Sequence, residues 1–173
     1  MLKGKNVNLR IMEKEDLPLF AEWGNDLGFW GEFEFIPQMS RADIEKMYAS
    51  TNWKWFFVEK KDGGKIGTLN HRPVGMAQEL GATLLSKERG KGYGSEAIMI
   101  MVDYLFLTKD TVRIQAYADV ENVASQRVLG KAGFKKEGVA RKWGFARGEW
   151  KDMCVFSILR EEWKEPRILT GTT

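Results

Sequence analysis

One cysteine, one histidine and four prolines are all that the 173 residues hold of those types. A lone Cys154 can close no internal disulfide, and a lone His71 has no metal-ligating partner at helical or strand spacing, so no metal site is visible. No apolar stretch approaches the roughly 20 residues of a membrane span, and the opening MLKGKNVNLR lacks the apolar core of an export signal. Repeats, low-complexity tracts and Pro/Gly/Ser linkers are also missing. The absences predict one soluble cytoplasmic domain over residues 1–165 and a loose tail, 166–173. Charge is near balance, 27 basic against 24 acidic side chains, so neither nucleic acid nor a membrane is called for. Composition leaves a homo-oligomer open.

Aromatic residues, by contrast, are plentiful: seven Trp and ten Phe exceed what most cores of this size use, so some should line a cavity or interface. NVNLRIM alternates and predicts a strand from Val7 to Met12. EDLPLFAEW and SRADIEKMY have helical spacing, the second with Ser40 as N-cap and Asp43 at the capping-box position. WKWFFVEK, the turn KDGG and KIGTLN form a hairpin, and QELGATLLS is a third antiparallel strand after a looser connection. Ile98, Met101, Val102 and Leu105 repeat at i, i+3, i+4 and i+7 in the clearest helix, Ser95 to Thr108. VRIQAYAD is a strand, and NVASQRVLGKAGF is a short helix ended by Gly133. Strands near Lys135 to Trp143 and Trp150 to Leu159 close the chain, giving an α+β sheet with helices on its faces.

The stretch ERGKGYGSEA, residues 88–97, sets three glycines at alternate positions before that clearest helix. Helix-start N–H groups lack intrahelical partners, the dipole favours an anion, and missing Cβ atoms let a phosphate approach. Arg89 and Lys91 add positive charge. A Walker loop would need Lys and Ser/Thr after its last glycine, where Ser95 and Glu96 stand. The dinucleotide fingerprint would need glycine at Ser95, and its first glycine closer to the strand. A turn that merely ends a strand is the plain alternative.

LLSKERGKGYGSEA resembles the acetyl-CoA loop of the GNAT superfamily of N-acetyltransferases, with Arg89, Gly92 and Gly94 on its pattern. NVASQRVLGKAGFKKEGVAR is similar to that family's second half, an Asn opening a short helix and Gly-Phe about eleven residues later. The likeness runs from about Gly67 to Trp163, with NVNLRIMEKEDL similar to the opening strand and helix; residues 24 to 40 match nothing. Within the superfamily the chain most resembles the ribosomal-protein N-terminal and spermidine acetyltransferases. The resemblance implies a GNAT-like, mostly antiparallel, splayed sheet of about seven strands with helices on both faces. It also implies acetyl-CoA as cofactor, its pyrophosphate on the N–H groups of Arg89, Gly90, Lys91, Gly92, Tyr93, Gly94 and Ser95. The pantetheine arm would lie along the main chain of Leu84 and Leu85, near Asn122, whose plain role is an N-cap.

Acetyl transfer to an amine requires a neutral nitrogen, a donor for the oxyanion of the tetrahedral intermediate and a proton for the departing thiolate. The resemblance makes a backbone N–H of Leu84 or Leu85 the oxyanion donor. Glu79, on the same strand, is the candidate base, or else a solvated edge carboxylate. Seven residues after Asn122, where many relatives carry Tyr, stands Leu129, which can donate nothing. Ser125, one turn earlier, is the nearest hydroxyl and the candidate acid, or an ordinary helix-interior Ser. His71, in the loop-like NHRPVG, reads as a surface residue and Cys154 as a small core residue.

Acids concentrate in residues 13 to 45, and GFWGEFEF interleaves them with aromatics. Trp30, Glu32, Phe33 and Glu34 suit an ammonium group, held by carboxylates and ring faces, although a solvated surface with rings packed inward has the same pattern. Two functions follow. One is an acetyltransferase acting on a primary amine by direct attack, the amine polyamine-like, aminoglycoside-like or a protein N-terminus. The other is a non-catalytic acyl-CoA-binding module with the same fold, for which Leu129 is the main argument.

Overall fold

The computed structural model describes residues 1–35, 37–50 and 52–170. Strands β1 (Leu2–Lys3) and β2 (Val7–Ile11) pair antiparallel and lead into helices α1 (Leu17–Gly24), α2 (Leu27–Trp30) and α3 (Arg41–Ala49). At the start of α3 the Asp43 N–H donates to the Ser40 hydroxyl at 3.2 Å and the Ser40 N–H to the Asp43 carboxylate at 2.9 Å. Such a box contributes about 1 kcal/mol. The short α2, in a stretch that no sequence pattern organised, is capped by Asp26, which accepts from the Gly28 N–H at 2.8 Å.

Strands β3 (Lys54–Lys60), β4 (Lys65–Val74) and β5 (Ala77–Leu84) form an antiparallel meander. The connection from β4 to β5 is not loose: Val74 pairs with Ala77, and Gly75 makes the turn at φ +58°. His71 is therefore a strand residue, 4% exposed, with Nδ1 3.0 Å from Gln78 Oε1, and not a surface-loop histidine. Pro73 disguised this strand, yet β3 pairs with β4 only as far as His71, so no ladder bond is lost where Pro73 lacks its N–H.

The remaining elements are α4 (Tyr93–Thr108), β6 (Arg113–Asp119), α5 (Val123–Lys131), β7 (Lys135–Ala146) and β8 (Glu149–Leu159). They complete an eight-stranded sheet of order β1-β2-β3-β4-β5-β6-β8-β7; the strand beyond the expected seven is the two-residue β1. Only β5 and β6 run parallel. Strand alternation separates two cores, since Phe56 and Val58 pack in the cluster containing α4 and α5 while Phe57 between them joins α1 to α3. All four periodic residues of α4, Ile98, Met101, Val102 and Leu105, are buried. Gly133, at φ +98°, ends α5 in the left-handed conformation.

The expected loose tail is tied down through Leu169. Asp103, fully buried in α4, accepts from the main-chain N–H groups of Arg167, Ile168 and Leu169 at 3.1, 2.6 and 3.0 Å, and from the Trp163 indole at 2.9 Å. Residues 171–173 of that tail lie outside the described residues. No helix among the described residues is long and apolar enough to cross a membrane.

Candidate active site

The parallel pairing of β5 with β6 covers only Ala77–Glu79 against Arg113–Gln115. Beyond it, Leu80 to Leu84 and Ala116 to Asp119 are unpaired with each other, and the sheet opens as a fork. The Leu85 N–H donates to Ile66 O at 2.9 Å, on the β4 side. By strand alternation the main-chain groups of Leu84, Ala82 and Leu80 then face the fork. Of the two expected oxyanion donors, only the Leu84 N–H faces the open side.

At the C-terminal end of β5 lies the glycine-rich loop. Gly90 and Gly92 adopt φ +76° and +86°, and a Cβ at either would meet no atom within 4 Å. The N–H groups of Gly90, Lys91, Gly92, Tyr93, Gly94 and Ser95 have no hydrogen-bond partner among the described residues. Six unpaired donors in a glycine-rich run leading into a four-turn helix fit a pyrophosphate. The Arg89 N–H, expected in the same set, already donates to Ser86 O at 3.2 Å. Its guanidinium is engaged too, donating to Leu84 O at 2.9 Å and Phe29 O at 2.8 Å. Lys91 pairs with Glu88 at 3.0 Å and holds that carboxyl below its ordinary value. Asn122 caps α5, accepting from the Ser125 N–H at 3.0 Å. Ser125 is half-buried, and Leu129 is a core residue, 3% exposed.

A cavity of about 250 Å³ sits at the base of the fork. Gln115, Tyr117 and Asp119 alternate along β6 with the buried Ile114, Ala116 and Ala118, so all three turn to the cavity's side of the sheet. Rings of Phe33, Phe35, Trp53, Tyr117, Trp143 and Phe145 wall it, Tyr117 lying flat on Trp143 with centroids 4.6 Å apart. Glu79 lines it and is not a free edge carboxylate: Oε1 accepts twice from Arg72, at 3.0 and 2.8 Å, and Oε2 once from Gln115 at 3.3 Å. Of about four lone-pair sites on a carboxylate, one on Oε2 remains. Arg72 is itself stacked over Trp53 at 4.7 Å.

Asp119, 3% exposed, accepts from the Glu121 N–H at 2.8 Å through Oδ1, while its buried Oδ2 has no partner among the described residues. Glu34 is its neighbour across the cavity, with its carboxyl pushed above the ordinary value by burial first and by the Asp119 charge second. Arg147, at the β7–β8 turn, clasps this loop through Gly31 O at 2.6 Å and Glu34 O at 3.2 Å. Phe33 and Glu34, expected to meet substrate, line the cavity; Glu32 is exposed and outside it. Trp30 stands behind, stacked on Phe35 with its indole N–H on Gly24 O at 2.7 Å. Sequence reasoning passed over Tyr117 and Asp119, although the alternation in QAYAD places them on one face with Gln115.

The acetyltransferase (GNAT) domain family matches residues 6–135. A probable N-acetyltransferase of Bacillus subtilis, YjcK, is 32% identical, the alignment covering 94% of this chain and 98% of the relative. The spermidine N-acetyltransferase of Vibrio cholerae, solved with CoA and spermine, superposes with a TM-score of 0.82 at 22% identity, covering 91% of this chain and 98% of that one. The ribosomal-protein-S5-alanine acetyltransferase of Vibrio fischeri does so with 0.80 at 23%, covering 94% and 97%. Likenesses at that identity establish the fold; the domain match and the Bacillus relative go further. The chain belongs to the GNAT family of N-acetyltransferases, enzymes that use acetyl-CoA.

Proposed function

We propose that the chain transfers the acetyl group of acetyl-CoA to the primary amine of a small, positively charged molecule seated in the cavity at the β5–β6 fork. The carrying observation is the unpartnered Oδ2 of Asp119, buried beside Glu34 among aromatic rings. An unpaired polar atom at that depth costs on the order of 1–3 kcal/mol, which an ammonium donor would recover. Ring faces add cation–π attraction for the same ligand. The spermidine enzyme to which this fold is similar acts on an amine of that class.

Acetyl-CoA supplies an activated thioester. The N–H groups of Gly90 to Ser95 would hold its phosphates, and the Leu84 main chain, facing the fork, would orient the arm and donate to the oxyanion. An amine arrives protonated and must lose a proton before direct attack. Glu79 keeps one lone-pair site for that proton, directly or through water. A peptide N-terminus brings one cation on a bulky chain and makes less use of the two carboxylates, Asp119 and Glu34, that line the cavity. A panel of small cationic amines, neutral amines and peptides, read by thiol release from acetyl-CoA, tests the reading. Turnover confined to cationic amines supports it, and turnover only with peptides sinks it.

A further inference from the structure

Gln115 donates through Nε2 to Tyr117 Oη and to Glu79 Oε2, at 3.3 Å each. Tyr117 is thereby an acceptor, and its own phenol proton has no acceptor among the described residues. The ring, nearly parallel to Trp143 at 14°, is fixed with its oxygen two hydrogen bonds from the candidate base. Burial first, and then the charge of Glu79, hold the phenol above its ordinary value, so the proton is present throughout the neutral range. Among the described side chains lining the cavity, Tyr117 carries the sole hydroxyl. Ser125 is not one of them, and Leu129 has no proton to give.

We propose that Tyr117 is a further catalytic residue, the group that hands a proton to the departing sulfur. This rests on the reading that acetyl transfer takes place in the fork cavity. The amine nitrogen bonds to the acetyl carbon and the carbonyl electron pair moves onto oxygen; as that tetrahedral oxyanion collapses, the carbon–sulfur bond breaks and its electron pair stays on sulfur. Tyr117 Oη gives its proton to the sulfur. The nitrogen sheds two protons by way of Glu79: the one lost before attack passes on to bulk water, and the one lost as the amide forms returns through water to the phenolate. Thioester and ammonium thus give amide, thiol and one released proton. Gln115 is the positioning residue that keeps both oxygens in place.

The test compares Tyr117→Phe, which keeps the ring and its stack on Trp143, with Tyr117→Leu, which loses both. In each variant kcat should fall about 100-fold while KM for amine and for acetyl-CoA stays within about twofold. Calorimetry gives a readout apart from turnover. Wild-type protein should bind CoA several-fold more tightly than desulfo-CoA, which lacks the sulfur, and Tyr117→Phe should erase that preference. Wild-type kcat in Tyr117→Phe, or a loss confined to Tyr117→Leu, would make the ring a mere wall and overturn the assignment. An undiminished preference for CoA in Tyr117→Phe would do the same. Protein that binds acetyl-CoA yet acetylates no amine would overturn the underlying reading, and this assignment with it.

Discussion

Arg89 Nη2 donates to the main-chain oxygen of Phe29 across 2.8 Å, joining the glycine-rich loop to the segment that walls the cavity. Its Nε holds Leu84 O at 2.9 Å, so one side chain braces β5, the loop and α2 together. Removing it should therefore disturb two binding events. Arg89→Ala is expected to raise KM for acetyl-CoA and for the amine together, and the loss should persist at high ionic strength. A loss limited to acetyl-CoA that shrinks as salt rises would mean that the guanidinium leaves its carbonyls for the phosphates.

Gly92 isolates the cofactor half. It adopts φ +86°, a conformation that side chains rarely take, with open space where a Cβ would stand. Gly92→Val should weaken acetyl-CoA binding at least tenfold by calorimetry on folded protein, and should lower stability by about 1–2 kcal/mol from backbone strain alone. Unchanged affinity in folded variant would remove the phosphates from this loop.

Glu79→Gln keeps the shape of the side chain while deleting the charge that Arg72 and Gln115 surround. Acetyl-CoA affinity should be preserved and turnover should fall most at neutral pH, recovering in part at higher pH, where more amine is already neutral. A uniformly scaled pH profile would assign Glu79 the structural task of holding Arg72 over Trp53.

Glu32 and Glu34 now separate. Glu34→Gln should raise KM for a cationic amine and leave acetyl-CoA affinity alone, whereas Glu32→Gln, on an exposed residue outside the cavity, should change neither. Stability gives an independent check on Glu34. Its folded-state pKa lies above the ordinary 4.5, so between those values the folded protein binds more protons than the unfolded chain, and stability falls as pH rises through that window. Glu34→Gln should consequently stabilise the protein at neutral pH and be without effect below the ordinary carboxylate range. Equal melting shifts at acid and neutral pH would contradict the assignment.

Much of this was legible in the amino-acid string because it is local. The spacing of Ile98, Met101, Val102 and Leu105, the capping pair Ser40 and Asp43, and the turn at Gly133 each involve neighbours within a few residues. The glycine-rich loop was legible for the same reason. What stayed hidden depends on distant partners. Asp103 reads as one more helix carboxylate until the chain returns more than sixty residues later to bond it. NHRPVG looks loop-like, and Pro73 is tolerated in its strand only because β3 no longer pairs with β4 there, which no local pattern shows. The cavity draws Glu34, Glu79, Asp119 and Trp143 from four separate segments, and only the β5–β6 fork brings them together.

That convergence is the central claim: the loop at Gly90 to Ser95 and the cavity at Asp119 are two halves of one site joined through the fork. A conjugate linking the sulfur of CoA through an acetyl bridge to a small diamine measures it directly by calorimetry. Spanning both halves, it should bind at least about 100-fold more tightly than CoA, since the second contact is made intramolecularly; Asp119→Asn should remove most of that gain, and Gly92→Val should weaken conjugate and CoA together. A conjugate that binds no more tightly than CoA, or one indifferent to Asp119→Asn, would show that the cavity and the loop do not serve the same reaction.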